Sequence, residues 1–485
     1  MIFTKETKLI DDFGRERIFH GMNMVYKGHM DEKTNLMEYK ANWDDSDFDW
    51  LQANGFNLVR LGIIWAAIEP ECNKIDEQYL QWVESVVDSL AKRDIFVYLD
   101  MHQDLYGEKF GDGAPKWATL DDGCEHYDNG IWSDAYLLSD AVKHSFDNFW
   151  ANKELANGEG IQDHFASLWG KVVTRFAKYD NIIGYDLLNE PFNGSSGLEL
   201  FLGLLYSYAS ITGKELSPGE LIGLFQDDEQ KMQMLLEVDN YDLYQQMTEQ
   251  VGPMLADFDS VTLTEFYKKV TKAIRKVTDK GLILTENSYF SNMGIQAQIK
   301  SVDDQYQVYA PHGYDLVVDS PAVGLSSNNR IKVIFDRHLN VQNELKCPVI
   351  IGEWGAHYAH SEALGHIDYI QNLFDENKWS NTYWDYNRNI SEYPVVKHLI
   401  RPYPMAVAGD IDCFSYDSEQ KLFKMTWNSN EGAGKQQTEI FIPGAVDSIQ
   451  ATDKCLIERI KTNSHEMVYI TSEHEGTNEV IITIK

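Results

Sequence analysis

Through the first four hundred residues of this 485-residue chain, short β-rich apolar runs alternate with segments of helical amphipathic period. Eight runs read as strands: Arg17–Asn23, Phe56–Trp65, Ile95–Met101, Ile182–Leu188, Leu282–Glu286, Gln307–Pro311, Val349–Gly352 and Thr382–Trp384. Between them Leu80, Val83, Val87 and Leu90 recur at helical spacing, as do Phe165, Trp169, Val172 and Phe176, and again Phe266, Val270, Ile274 and Val277. Strands alternating with helices imply a parallel sheet, and eight such units predict a closed (β/α)8 barrel of the TIM type. The competing open, doubly wound sheet usually carries a glycine-rich phosphate turn after an early strand, and none is present.

From about Pro402 the period changes. Phe423, Met425 and Trp427 alternate with polar neighbours, as do Ile440 and Ile442, then Val480, Ile482 and Ile484. Turn-rich stretches such as Asn428-Ser-Asn-Glu-Gly-Ala-Gly434 separate them, the pattern of a small antiparallel β-sandwich. The expected division is a catalytic barrel over residues 1–401 and a sandwich over 402–485. Two insertions break the barrel rhythm, at about 106–157 after the third strand and 195–258 after the fourth. Both fall on βα connections, the catalytic face of a barrel. The second is rich in apolar residues: Leu198, Leu200, Phe201, Leu202, Leu204, Leu205 and Tyr206, then Leu221-Ile-Gly-Leu-Phe225, then Met232, Met234, Leu235 and Leu236. It is expected either to bury its own apolar face as a helical subdomain or to present that face as a lid over a greasy substrate.

Composition narrows the function. A formal charge of −34 argues against nucleic acid, since no basic patch offsets phosphate repulsion. Five scattered cysteines include no CxxC pair and no His/Cys cluster at metal-ligand spacing, so neither a disulfide framework nor a zinc site is expected. Their odd number leaves at least one thiol outside any internal pair and favours a reducing compartment. No run of eighteen apolar residues is present, so no membrane span is expected. The N-terminus lacks a signal-peptide pattern, so the expected location is cytoplasmic, or secreted if a leader has been removed.

The chemistry lies at the strand ends. Asp100-Met-His-Gln-Asp104 closes the third strand, Asn189-Glu190-Pro191 the fourth, His312-Gly-Tyr314 the sixth, Glu353-Trp354 the seventh and Trp384-Asp385 the eighth. A single Glu at a strand end is usually a surface residue. Two, converging with His, Tyr, Asn and Trp on the carboxyl face of a barrel, define a site. Two carboxylates working without metal or nucleotide suit glycosidic cleavage, with one protonating the leaving oxygen while the other attacks or activates water. Glu190 is the expected acid/base, kept protonated by the nearby charge of the nucleophile Glu353. Tyr314 would steer Glu353, Asn189 would bind the sugar 2-hydroxyl, and Arg60 would hold Glu353 ionised if it lies in the barrel mouth. On a surface, Arg60 would make an ordinary salt bridge. Trp384 offers a face to a pyranose ring. Trp65, Trp117 and Trp354 are candidates for the same role or for plain core.

These motifs resemble the family 5 glycoside hydrolases, in which Asn-Glu-Pro follows one strand and Gly-Glu a later one, as Asn189-Glu190-Pro191 and Gly352-Glu353 do here. Asp100-Met-His-Gln-Asp104, Gly113-Ala-Pro-Lys-Trp-Ala118, Asp147-Asn-Phe-Trp150, Asp186-Leu-Leu-Asn-Glu-Pro-Phe192 and Arg401-Pro-Tyr-Pro-Met-Ala-Val-Ala-Gly409 further resemble the endoglycoceramidase branch, which separates glycan from ceramide in glycosphingolipids. The resemblance implies Glu190 as acid/base and Glu353 as nucleophile, with no cofactor and no metal. It implies His102, Asp104, Asn189, His312, Tyr314 and Trp384 as sugar-site residues, and Lys27 as a contact to the first sugar. Gly313 after His312 and the long second insertion depart from the branch pattern, and both bear on the lid. The expected partner is a glycosphingolipid or another β-glycoside, with peripheral contact to a lipid or micelle surface. Exo-acting glucosylceramidase or steryl-glucosidase, soluble β-glucan hydrolase, and a non-catalytic glycolipid-binding protein are the alternatives.

Overall fold

This computed structural model describes the whole chain except residues 32–35, 218, 222, 224–226, 319, 321, 430–435 and 474. Eight parallel strands form one sheet in the order Gln307–Tyr309, Leu282–Thr285, Ile182–Asp186, Phe96–His102, Leu58–Ile64, His20–Met24, Ser380–Tyr383, Ile350–Ile351. The two edge strands meet. Tyr309 bridges Val349 in parallel, and just beyond, His312 and Gly313 pair with Glu353 and Trp354. The sheet is therefore a closed barrel with its carboxyl ends on one face. Its strands are buried on both faces, which accounts for their near-continuous apolar character.

The helical periods form the outer ring. Helix Glu77–Ala91 buries Leu80, Val83, Val87 and Leu90, and Ile161–Phe176 buries Phe165, Trp169, Val172 and Phe176. The third expected helix ends sooner. Thr264–Arg275 buries Phe266, Val270 and Ile274, but Val277 lies beyond its end and is 40% exposed. Arg275 terminates it by donating to the carbonyls of Lys280 and Gly281 while pairing with Asp304.

The first expected strand, Arg17–Asn23, is in fact two elements. Glu16–Arg17 pairs with Val407 and Ala406 of the sandwich, and only His20–Met24 enters the barrel. Arg17 contacts Asp11 and lies over the rings of Phe19 and Phe96, at the junction between the two layers. The sandwich is accordingly built from both ends of the chain, so its boundary is not a single cut at residue 402. One sheet runs Ile2–Lys5, Lys8–Asp11, Glu16–Arg17, Tyr403–Val407, Thr438–Pro443, His465–Ser472, Cys455–Lys461. The facing sheet runs Asp410–Asp417, Leu422–Ser429, Gly476–Ile484, Val446–Ala451. Phe423, Met425, Trp427, Ile440, Ile442, Val480 and Ile482 meet between them, as the alternation requires. The turn expected at Asn428–Gly434 lies largely outside the described residues.

The second insertion is mostly its own core. Helix Gly197–Ile211 buries Leu200, Leu204, Leu205 and Tyr208, and helix Tyr241–Asp257 buries Tyr244, Met247, Val251 and Leu255, all in one cluster with the barrel helices. Leu236 and Tyr206 remain exposed, and within Leu221–Phe225 residues 222, 224 and 225 lie outside the described residues. In the first insertion Tyr127, Ile131, Trp132 and Leu138 are all exposed. All five cysteines are free. Among the described residues, no helix is long and apolar enough to cross a membrane.

Candidate active site

The barrel mouth is organised by one fully buried guanidinium. Arg60 projects from the second barrel strand, and its three nitrogens reach five other strands or their carboxyl ends. Nε donates to Asp186 Oδ2 at 2.9 Å, and Nη1 to Asn23 Oδ1 at 3.1 Å and Glu353 Oε1 at 2.5 Å. Nη2 donates to Asn189 Oδ1 at 2.9 Å and Glu286 Oε1 at 2.8 Å and lies 3.0 Å from Asp100 Oδ1. The fork of an arginine suits this role because its donors diverge in one plane. Burial alone would lower its pKa, but the surrounding carboxylates outweigh burial and raise it well above the ordinary range. Arg60 is thus the centre of the site and not a surface ion pair.

Glu353 is 4% exposed. Beside the bond from Arg60, its Oε2 accepts the Tyr314 hydroxyl at 2.8 Å and lies 3.6 Å from His312 Nδ1. Both carboxylate oxygens of Glu353 thus accept a hydrogen bond. Glu190, 7% exposed, sits opposite on the fourth strand's end with a left-handed φ of 43°. A non-glycine residue holds that conformation only where its surroundings fix it. Here the Glu190 amide donates to Glu286 Oε2 at 2.7 Å, and the side chain accepts from Asn292 Nδ2 at 2.7 Å and His312 Nδ1 at 3.0 Å. Burial, more than the neighbouring Glu353 and Asp104 charges, pushes the Glu190 carboxyl up to about 7 against the pull of His312. Carboxylate oxygens of Glu190 and Glu353 and a ring nitrogen of His312 all lie within 4.8 Å of one another.

The remaining expected residues gather on the same face. His102 Nδ1 bonds Asp100 Oδ2 at 2.8 Å, and its ring stacks on Trp384 at 5.5 Å with the planes 14° apart. Burial disfavours charge on His102, but Asp100 and then Asp104 raise its pKa to about 10. Lys27 ion-pairs with Asp104, and its ammonium lies 4.9 Å from the Trp384 ring and 5.7 Å from the Trp132 ring. Asp104 is pulled down to about 2, Lys27 and His102 overcoming its burial. Asn189 accepts from Arg60 and donates to the Gln103 carbonyl at 3.0 Å, which leaves its second amide hydrogen for a sugar hydroxyl. Gly313 has its own reason: a Cβ there would stand 2.8 Å from the Phe335 ring.

Several participants were given no site role by the sequence reading. Glu286, Asn292, Asp100 and Asp186 all touch the catalytic pair or Arg60. Glu286 was visible in principle as a charged residue closing the fifth strand; Asn292 belongs to a short 3-10 turn and has no strand-end signal. The extra tryptophans are core. Trp354 is fully buried against Phe374 and Tyr383, and Trp65 packs edge-on to Trp117 and Phe165. Trp132, 44% exposed beside Lys27, is the aromatic that the sequence did not single out.

Among the described residues, three acidic or histidine groupings have metal-like spacing: His102/Asp104/Asp112, Glu190/His312/Glu353 and Asp100/Asp186/Glu286. Each already has a cationic neighbour. Lys27 lies on Asp104, His312 is held well above its usual pKa by Glu286, Glu353 and Glu190 in spite of burial, and the Arg60 guanidinium reaches all three members of the last group. A divalent ion in any of them would face a positive charge at contact distance. Four carboxyls of the mouth are shifted upward mainly by burial, Asp112 and Glu190 to about 7, Asp385 to about 6 and Asp186 well above its ordinary range. These shifts bring the acid-rich mouth toward charge balance.

Comparison with known proteins agrees with this geometry. Residues 20–390 match the family described as cellulase (glycosyl hydrolase family 5), and residues 401–485 match the glycoside hydrolase family 5 C-terminal domain. An endoglycoceramidase of Hydra vulgaris is 30% identical over 210 residues, 39% of this chain and 40% of that protein. Endoglycoceramidase I of Rhodococcus hoagii is 32% identical over 196 residues, 40% of this chain and 38% of its own length. The chain thus spans about two fifths of the length of these curated relatives. The solved structure of endo-glycoceramidase II from Rhodococcus sp. superposes with a TM-score of 0.75 at 25% identity, covering 98% of this chain and 99% of that one. On the family match over both barrel and sandwich, this chain belongs to glycosyl hydrolase family 5.

Proposed function

We propose that this chain is a retaining β-glycosidase that cleaves the bond between glycan and ceramide in glycosphingolipids. The observation that carries the reaction type is the close pair: oxygens of Glu190 and Glu353 lie within 4.8 Å. Retaining enzymes hold their carboxyl groups about 5–5.5 Å apart, whereas inverting ones need about 6.5–9.5 Å to admit water between them. The likeness to endoglycoceramidases in sequence and fold supports the lipid-linked substrate.

In this reading Glu353 attacks the anomeric carbon, and the C–O bond to the lipid alcohol breaks as Glu190 delivers its proton to the leaving oxygen. Forming the ester removes the charge on Glu353, so Glu190 can then hold a negative charge and take a proton from the water that hydrolyses the ester. Arg60 and Tyr314 stabilise Glu353 as a carboxylate before attack and as a leaving group afterwards. Lys27, Asp104, His102 and Trp384 supply polar and stacking contacts for the sugar next to the pair.

The exposed side chains Tyr127, Ile131, Trp132 and Leu138 fit a role as the surface that meets the lipid, with Trp132 linking that surface to the sugar site through Lys27. The charge of −34 favours contact with neutral over anionic surfaces. The decisive experiment is mass spectrometry of products from lactosylceramide and longer glycosphingolipids, with cellotetraose as a comparison. Release of intact oligosaccharide is expected. Hydrolysis of glucosylceramide with lactosylceramide left intact would make the enzyme exo-acting, and preference for cellotetraose would make it a glucan hydrolase. Glu353→Ala is expected to remain folded and to abolish turnover; unchanged hydrolysis removes Glu353 from the mechanism.

A further inference from the structure

We infer that Asn292 is a positioning residue for the acid/base, fixing which oxygen of Glu190 carries the transferable proton. The inference rests on Glu190 serving as acid/base. Asn292 is 5% exposed and lies in the 3-10 turn Tyr289–Met293 after the fifth barrel strand. Its Oδ1 accepts from Asn287 Nδ2 at 2.5 Å, and that same nitrogen donates to the Ser288 carbonyl at 2.9 Å. The Asn287 orientation is completed by the Tyr309 hydroxyl, 3.5 Å from its Oδ1. The chain of contacts therefore sets the amide of Asn292, and the end facing Glu190 is the NH2 group, which only donates.

That donor reaches Glu190 Oε1 at 2.7 Å, and His312 Nδ1 reaches the same oxygen at 3.0 Å. Glu286, Glu353 and Glu190 raise the pKa of His312 well above its ordinary value in spite of burial, which favours an N–H on Nδ1 facing Oε1 beside that of Asn292. A proton on Oε1 would point at two donors; on Oε2 it meets neither. The acid proton thus sits on Oε2, free to pass to the glycosidic oxygen. The turn carrying Asn292 is pinned at two backbone points: the Tyr314 amide donates to the Asn292 carbonyl at 3.3 Å, and the Tyr244 hydroxyl to the Met293 carbonyl at 2.5 Å. One pin comes from the sixth-strand loop and the other from the second insertion, so the donor is preorganised.

The electrostatic consequence has a definite sign. An N–H donor favours the carboxylate form, so losing it raises the pKa of Glu190. The other titratable groups facing Glu190 are His312, Glu353, Asp104, Tyr136 and Glu286, the last through the Glu190 amide. None of these is altered by a change at position 292.

The test compares Asn292→Ala and the isosteric Asn292→Asp with the parent enzyme, reading the pH profile of kcat/KM on a β-lactoside whose leaving group still needs the acid proton. Both variants are expected to move the alkaline limb upward by about one pH unit, the size of one charge-assisted hydrogen bond. They are also expected to lose about tenfold or more in kcat, with hydrolysis of the glycosyl-enzyme becoming slower. An alkaline limb left in place by the variant that folds overturns the inference, whatever happens to the rate. Glu190→Ala, assayed with azide and an aryl β-lactoside whose leaving group needs no protonation, separates the two claims. If it loses the limb and forms β-glycosyl azide, the acid/base assignment stands even when the Asn292 inference fails.

Discussion

The Tyr314 hydroxyl donates to Glu353 Oε2 at 2.8 Å, placing a neutral donor on the nucleophile opposite the cationic one from Arg60. The loop that presents this tyrosine is anchored at the next residue. Asp315 accepts from Arg330 Nε at 2.9 Å and Nη2 at 2.7 Å, and Arg330 also donates to the Leu235 carbonyl of the second insertion at 2.9 Å. The insertion therefore braces the wall behind Glu353, while Tyr244 braces the turn beside Glu190.

Tyr314→Phe removes the donor and keeps the ring. A hydrogen bond to a charged group contributes about 1.5–3 kcal/mol, so kcat is expected to fall by about ten- to a hundredfold. KM for a soluble aryl glycoside and the far-UV circular dichroism spectrum should change little. Wild-type kcat in the variant would show that the bond does not stabilise the transition state.

The pH dependence follows from Glu190. Its carboxyl is raised from 4.5 to about 7, chiefly by burial, so the proton needed by the leaving oxygen persists to neutrality and is lost above it. The sign is therefore a fall in kcat/KM on the alkaline side, with a midpoint near pH 7. An aryl glycoside whose leaving group needs no protonation should bypass that limb in Glu190→Gln. A limb that survives in this variant belongs to another group.

Much of this site was legible in the sequence because its residues close barrel strands, where position along the chain translates directly into position on one face. Glu190, Glu353, His102, His312 and Trp384 are of this kind. Arg60 was visible as a charge within an apolar run with Glu353 as its partner, but Asp100, Asp186 and Glu286 were not, since they come from strands distant in sequence and meet only on closure of the barrel. Asn292 and Trp132 lie on irregular segments, where no period marks a side chain as facing inward. The division of the first expected strand escaped notice for a topological reason: Glu16–Arg17 and His20–Met24 run almost continuously, yet pair with different sheets. The acidity of Glu190 was foreseen as a matter of like charge, whereas burial is its larger cause.

Arg60→Met tests whether the cluster holds together electrostatically. The change leaves Asp100, Asp186, Glu286 and Glu353 facing one another without the guanidinium that joins them. Removing one partner from a buried ion network typically costs about 3–5 kcal/mol. The melting temperature of the barrel should drop by several degrees and activity should vanish. A variant as stable as the parent would mean that proton uptake by the carboxyls fully compensates.

The lipid-facing role of the first insertion is tested where the sugar is not touched. Ile131 is 52% exposed and Leu138 45%, and both side chains are apolar. Fully burying an aliphatic side chain contributes about 1.5–3 kcal/mol, and shallow contact with a lipid surface contributes less. The double variant Ile131→Ser/Leu138→Ser is therefore expected to lose about tenfold in kcat/KM on lactosylceramide in neutral phosphatidylcholine vesicles. Hydrolysis of a soluble aryl β-lactoside should be unchanged, since the barrel mouth is untouched. Binding to substrate-free vesicles, followed by co-sedimentation, should weaken in parallel. Equal loss on both substrates would assign these residues to the fold of the loop, and no loss on either would leave the lipid without a docking surface on the first insertion.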